Sequence, residues 1–252
     1  TVSKQACSVY SDKTGLSLKA VDSPFAPDLP EAQLQKLLVE PGRFQQHSAS
    51  VLMKLLYGAR MAAPWLRVPI QRLARQVHRW TAECDRRLHM LYCYVHSTLE
   101  QVLKGCLSTD DLAEIRIDCW ADADLAGDLF STKSTSGRFV ELVGKQGRSM
   151  PLHWGSKQQG STQRHTQGAE TVSLATGLCE DGLSLQQLVS VILRKPVPMV
   201  VREDNSATIL AIKKGYSPSL RALPRTERVS LGSLHELFHE QEAHDCRHGS
   251  LE

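Results

Sequence analysis

Asp122, Glu170 and Asp204 are the residues of this chain whose type and setting most readily do chemistry. Asp122 follows a stretch that reads as a strand, Glu170 falls in the first turn of a helical stretch, and Asp204 ends an apolar strand. Carboxylates gathered at such ends are the usual way to hold Mg²⁺, a hard cation that prefers oxygen ligands and keeps several waters. Each also has a plainer reading, because Asp204 could cap a helix starting at Asn205 and Glu170 could favour a helix N-terminus through the dipole. A second pattern lies near the end, where His235-Glu236-Leu237-Phe238-His239 matches H-E-x-x-H, two histidines one helical turn apart with a glutamate as base. The extended zinc-protease form fails, with Glu242 for its glycine and Asp245 for its third histidine, so a zinc metalloprotease stands as the remote alternative. His244, Cys246 and His248 read as tail residues able to take up stray metal. Arg72, Arg75 and Arg79, spaced by three and four, share one helical face that either tracks a phosphate backbone or is simply solvated.

The elements that must position these groups change character along the chain. Residues 20–32 carry three prolines and no sustained period, which marks a linker after a short N-terminal piece. From Ser48 to about Thr98 apolar residues recur at three- and four-residue spacing, broken by Pro64 and Pro69, as in a small all-helical region. From Leu112 the period becomes two: Ile115, Ile117 and Cys119 alternate with Arg116, Asp118 and Trp120, the mark of a half-buried strand. Strands are expected at 138–143 and 150–155, joined through Gly144-Lys145-Gln146-Gly147 as an antiparallel meander. Helices are expected at 169–178 and 183–193 with a weak point at Asp181-Gly182, then a strand at 197–201, a helix at 205–214 and a last helix at 229–244. The order is α/β. The expected division is a piece and linker at 1–33, a helical region at 34–109, an α/β domain at 110–245 and a tail at 246–252.

Composition bounds the possibilities. With 252 residues, 41% of them hydrophobic, and 30 Lys plus Arg against 27 Asp plus Glu, the chain is neither disordered nor fibrous. No apolar run reaches the length of a membrane-spanning helix and no signal-peptide layout opens the chain, so an intracellular protein, cytoplasmic or nuclear, is expected with no membrane partner. Net charge is +3, with 14 basic and 10 acidic side chains before residue 113, so charge alone leaves only a faint nucleic-acid footprint. The seven cysteines contain no C-x-x-C pair and read as reduced packing residues. Thr1 at the start fits a piece of something longer.

Five blocks in order then resemble a family. Trp120-Ala121-Asp122-Ala123-Asp124-Leu125-Ala126-Gly127-Asp128, Lys133-Ser134-Thr135-Ser136-Gly137 and Trp154-Gly155-Ser156-Lys157-Gln158-Gln159 look like the Y-S-D-A-D-W-A-G-D, K-S-T-S-G and W-x-S-K-x-Q blocks of the ribonuclease H domain of copia-type retrotransposon polyproteins. Ala169-Glu170 and Glu203-Asp204-Asn205-Ser206-Ala207 are similar to its A-E-Y and D-N-x-S-A blocks. More loosely, residues 50–56 and 89–98 resemble the reverse transcriptase tail that precedes this domain, while no Y-x-D-D polymerase motif occurs.

The resemblance implies a ribonuclease H-like five-stranded mixed sheet with flanking helices, preceded by the small helical region. It also implies hydrolysis of RNA in RNA–DNA hybrids with two Mg²⁺ or Mn²⁺ ions, within the remainder of a retrotransposon polyprotein. Carried over by motif, Asp122 would bridge the ions while Glu170 and Asp204 each complete one shell, and Ser134, Thr135, Lys157, Gln159 and Asn205 would contact nucleic acid. The departures are specific. Arg225-Thr226-Glu227-Arg228-Val229-Ser230 stands for R-T-K-H-I-D, which puts a serine where the fourth carboxylate belongs, with Glu236 or Glu240 as substitutes. Leu125 replaces a tryptophan and Thr171 a tyrosine. These changes fit a divergent enzyme or, as the alternative, an inactive nucleic-acid-binding relic.

Overall fold

The computed structural model describes residues 2–126, 132–243 and 250–251, with the side chains of 2, 239–243 and 250–251 outside the description. Two compact units divide between Leu103 and Lys104.

The first unit holds α1 (Val2–Thr14), α2 (Glu31–Val39), α3 (Gln45–Met61), α4 (Arg67–Ala74) and α5 (Ala82–Ser97). Its core is built from the expected apolar stripes, including Leu52, Ile70, Leu88 and Leu91. The N-terminal piece joins this core: Tyr10 of α1 stacks on Tyr92 with ring centroids 4.0 Å apart and is fully buried. Pro64 opens a short 3₁₀ turn, whereas Pro69 sits in the first turn of α4, where a missing N–H costs little.

The second unit is a mixed sheet with flanking helices, an arrangement consistent with the ribonuclease H-like fold. Four strands carry it, β1 (Arg116–Asp124), β2 (Thr135–Val143), β3 (Ser149–Gln158) and β4 (Met199–Arg202), in the order β3-β2-β1-β4. The fifth strand implied by the resemblance is met only by the two residues of β5 (Ser250–Leu251), paired parallel to β4. β1 to β3 form the expected antiparallel meander, with Gly147 at positive φ in the turn between β2 and β3, and β4 runs parallel to β1. Alternation along β1 sends Ile117, Cys119 and Ala121 into the core with Leu174 and Ala175 of α6 (Thr166–Thr176).

The weak point expected near Asp181-Gly182 is real but does not end the helix. α6 passes through a π-helical stretch, Gly177–Gly182, straight into α7 (Leu183–Leu193). Gly182 lies so close to the sheet that a Cβ there would meet Met199 Sδ at 3.1 Å and Cys119 Sγ at 3.4 Å. α8 (Ser206–Lys214), the one-turn α9 (Leu223–Thr226) and α10 (Leu231–Ala243) complete the unit.

Candidate metal centre

Three elements bring the three carboxylates together. β1 runs on to Asp124, so Asp122 lies inside the strand rather than beyond its end, two residues along the same face from exposed Trp120. Glu170 is the fifth residue of α6, one turn deeper than its expected place, and is only 4% exposed. Asp204 follows β4 on the exposed side of the chain. One carboxylate oxygen from each of the three lies within 4.8 Å of the others. Among the described residues this is the one group of three or more metal-ligating side chains so gathered.

The electrostatics are those of acids crowded without a counter-ion. Burial first, then the charges of Glu203, Asp122 and Asp204, push the Glu170 carboxyl up to about 8, against a smaller stabilising hydrogen bond from the Ala123 N–H. Glu203 is a residue that sequence reasoning missed. It is 6% exposed, and burial together with Asp204 and Asp122 raises its carboxyl to about 7, although the Asn205 N–H donates to Oε1 at 3.1 Å. Glu170 Oε2 and Glu203 Oε2 are both buried with no hydrogen-bond partner. The available signal was strand alternation: Val201 and Glu203 point inward while Arg202 and Asp204 turn outward.

This donor set fits a hard divalent cation. The three gathered groups all offer oxygen, two are exposed enough to exchange water, and the third turns a buried, orphaned oxygen with no basic side chain among the groups that shift it. The Asp204 capping role considered above falls instead to its neighbour, for Asn205 is the N-cap of α8 and its Oδ1 accepts from the Thr208 N–H at 3.0 Å.

The other expected contacts divide. Lys157 is exposed on β3, and Thr135 is half-buried at the start of β2 with its N–H donating to Asp124 Oδ1. Ser134 and Gln159 are not surface contacts. Ser134 is fully buried and accepts from the Ala126 N–H, while Gln159 is 5% exposed and donates through Nε2 to Ser136 Oγ (3.0 Å) and the Ala169 carbonyl (2.8 Å). Gln159 thereby braces α6 against the meander. Asn205 is occupied as a cap. The arginine stripe is also corrected: α4 ends at Ala74, Arg75 is its C-cap, and Arg79 sits in a separate 3₁₀ turn, because the chain bends there to bury Trp80. Arg72 lies over the Phe25 ring at 5.6 Å.

Ser230 precedes α10 and its Oγ accepts from the Ser233 N–H at 3.3 Å, in the manner of an N-cap. It lines a cavity of about 380 Å³ with Ala175, Cys179 and Leu234, and none of the three gathered carboxylates lines that cavity. Glu236 is exposed and belongs to no metal-ligating group. His235 packs on α8, its Nδ1 donating to the Ile212 carbonyl at 3.1 Å. The side chains of His239, Glu240 and Glu242, and residues Gly127, Asp128, His244, Asp245, Cys246 and His248, lie outside the described residues.

No family model matches this chain and no curated protein matches it. Among solved structures it is similar to native prototype foamy virus protease-reverse transcriptase, at 11% identity and a TM-score of 0.30. The match covers 68% of this chain and 24% of that one, so the chain spans about a quarter of that protein's length. A likeness that weak decides neither fold nor function. No helix among the described residues is long and apolar enough to cross a membrane.

Proposed function

We propose that this chain is the ribonuclease H-type part of a copia-type retrotransposon polyprotein, hydrolysing RNA paired to DNA with two divalent cations. The observation that carries the reading is the convergence of Asp122, Glu170 and Asp204 from β1, α6 and the exit of β4 to within 4.8 Å, in the order and motif context that the resemblance requires.

Asp122, Glu170 and Asp204 would hold Mg²⁺ or Mn²⁺. When bound, such ions lower the pKa of an attacking water and neutralise the leaving 3′ oxygen. The chain's own residues set the stage for this. Asp122 is fixed by the β1–β2 ladder, where it pairs with Gly137, and Ser173 Oγ donates to the Asp122 carbonyl at 2.7 Å. Glu170 is fixed by the Ala123 N–H and by Gln159, which holds the adjacent Ala169 carbonyl. Exposed Lys157 offers a cation to the phosphate backbone, a contact that selects nucleic acid without reading sequence. The 2′-hydroxyls and shape of the hybrid would supply the choice of RNA.

The inactive relic is favoured by one observation, the serine cap at position 230. Metal binding separates the two readings without any substrate. A ligand that prefers the folded state raises apparent stability, so millimolar Mg²⁺ or Mn²⁺ should raise the melting temperature of the wild-type chain and leave Asp122→Asn unmoved. A wild-type chain that Mg²⁺ and Mn²⁺ leave unshifted would favour the relic.

A further inference from the structure

We propose that the groove between α1 and α3 is a docking site for an acidic amphipathic helix of a partner protein. The inference lies wholly within the helical unit and does not depend on the metal centre.

Charge is the first observation. The 42 residues from Pro41 to Ala82 hold seven Lys or Arg and no Asp or Glu. The rest of the chain, with 23 basic against 27 acidic residues, is net acidic, so the overall charge of +3 hides a strong segregation. The basic run folds as α3, α4 and the 3₁₀ turns on either side of α4, elements that pack against one another. Lys54 and Arg60 of α3 take part in none of the ion pairs among the described residues. Such a surface attracts an acidic partner and repels a basic one.

Shape and apolarity are the second. Met53, Tyr57 and Met61 recur at every fourth residue of α3 and are 46%, 59% and 63% exposed. By the rise of a helix they make a stripe about 12 Å long. Val51, Leu52 and Leu55 turn to the core, so burial within the unit uses the other side of α3 and not this one. Met53, Lys54 and Tyr57 line a groove of about 320 Å³ together with Gln5 and Ala6 of α1. Two helices packed side by side, as α1 and α3 are, leave a furrow that suits a third. Flexible methionine side chains adapt to whatever apolar group enters it.

The two observations select one occupant. A helix with apolar residues at three- and four-residue spacing seats them between Ala6, Met53 and Tyr57, while its acidic flanks meet Lys54 and Arg60. A phosphate backbone would use the cations and leave the methionines unmatched. An uncharged apolar helix would match the methionines and ignore the cations.

The test titrates the full chain into a fluorescein-labelled helical peptide of about 15 residues, leucines at three- and four-residue spacing among glutamates and alanines, and reads anisotropy. Wild type should bind it, more weakly as salt is raised. Replacing the peptide's glutamates by lysines should abolish binding, and replacing its leucines by alanines should weaken it at least about tenfold. On the protein, Tyr57→Ser, Met53→Ser and Lys54→Glu should each weaken binding by about tenfold. Tyr57→Ser and Met53→Ser should melt like wild type, because both side chains are at the surface. The proposal is overturned if wild type does not bind the peptide, if Tyr57→Ser and Met53→Ser bind it unchanged, or if the alanine peptide binds as tightly as the leucine one. It is equally overturned if duplex DNA or phosphatidylserine vesicles bind in place of the peptide and lose affinity with Tyr57→Ser, since the groove would then serve another class of partner. Unfolding of both serine variants would also sink it, by placing that side of α3 in the core. None of these results bears on metal binding or cleavage.

Discussion

Glu170→Gln should flatten the pH dependence of stability of the metal-free protein. A carboxyl raised from 4.5 to about 8 in the folded state makes the folded protein bind the extra proton across that window. The contribution of Glu170 is therefore fully present below pH 4.5 and is lost as pH rises toward 8. Each tenfold gain in proton affinity on folding is worth about 1.4 kcal/mol, so Glu170 accounts for at most about 5 kcal/mol. Glu203, raised to about 7 by burial first and then by Asp204 and Asp122, shares part of that repulsion, so the two costs overlap rather than add. We expect the EDTA-treated wild type to lose about 3–5 kcal/mol between pH 5 and pH 8 in urea unfolding, and Glu170→Gln less than half as much. His89 is held low by burial in the helical unit, an opposite and smaller trend that cancels when the two curves are subtracted. Millimolar Mg²⁺ at pH 8 should restore wild type but not the variant. Equal slopes in the two proteins, or wild-type stability that rises from pH 5 to 8, would refute the electrostatic account of the site.

Three further outcomes follow from the same structure. Asp122→Asn removes one of the crowded charges, so the metal-free protein should melt at or slightly above wild type while Mn²⁺ binding disappears; a clear loss of apo stability would contradict this. Gln159→Ala strips a buried donor from Ser136 and the Ala169 carbonyl, and should cost about 1–3 kcal/mol in urea unfolding, whereas an unchanged midpoint would show that the brace is idle. Tyr10→Ala opens a cavity beside Tyr92 and should cost about 3–5 kcal/mol in the helical unit, as judged by its unfolding transition; a change under about 1 kcal/mol would mean that α1 is not part of that core.

How far the sequence carries a reader depends on what each residue's neighbours are. The meander, β4 and α8 follow from period-two and apolar patterns together with turn glycines, signals local enough to be read in one dimension. The three gathered carboxylates were legible because each lies at or near the edge of such an element. Glu203 lies inside a motif block yet no local pattern beyond strand alternation marks it, since its burial and the charge it places on Glu170, 33 positions away in the chain, arise only on tertiary closure. Ser134 and Gln159 look like surface polar residues in a motif, yet their hydrogen bonds to Ala126, Ser136 and Ala169 are made by tertiary closure. The arginine stripe failed for a similar reason: helical spacing was continued past Ala74, where burying Trp80 bends the chain. Conversely, the Asp181-Gly182 weak point was a correct local signal whose outcome, a π-helical stretch instead of a break, is set by contact with Cys119 and Met199.

The central claim is tested most directly by incubating the purified chain with a labelled RNA–DNA hybrid in Mg²⁺ and then Mn²⁺, beside Asp122→Asn. The account predicts cleavage of the RNA strand alone, by the wild type alone, and none without metal. No cleavage with either ion from folded protein, or cleavage that survives Asp122→Asn, would contradict it.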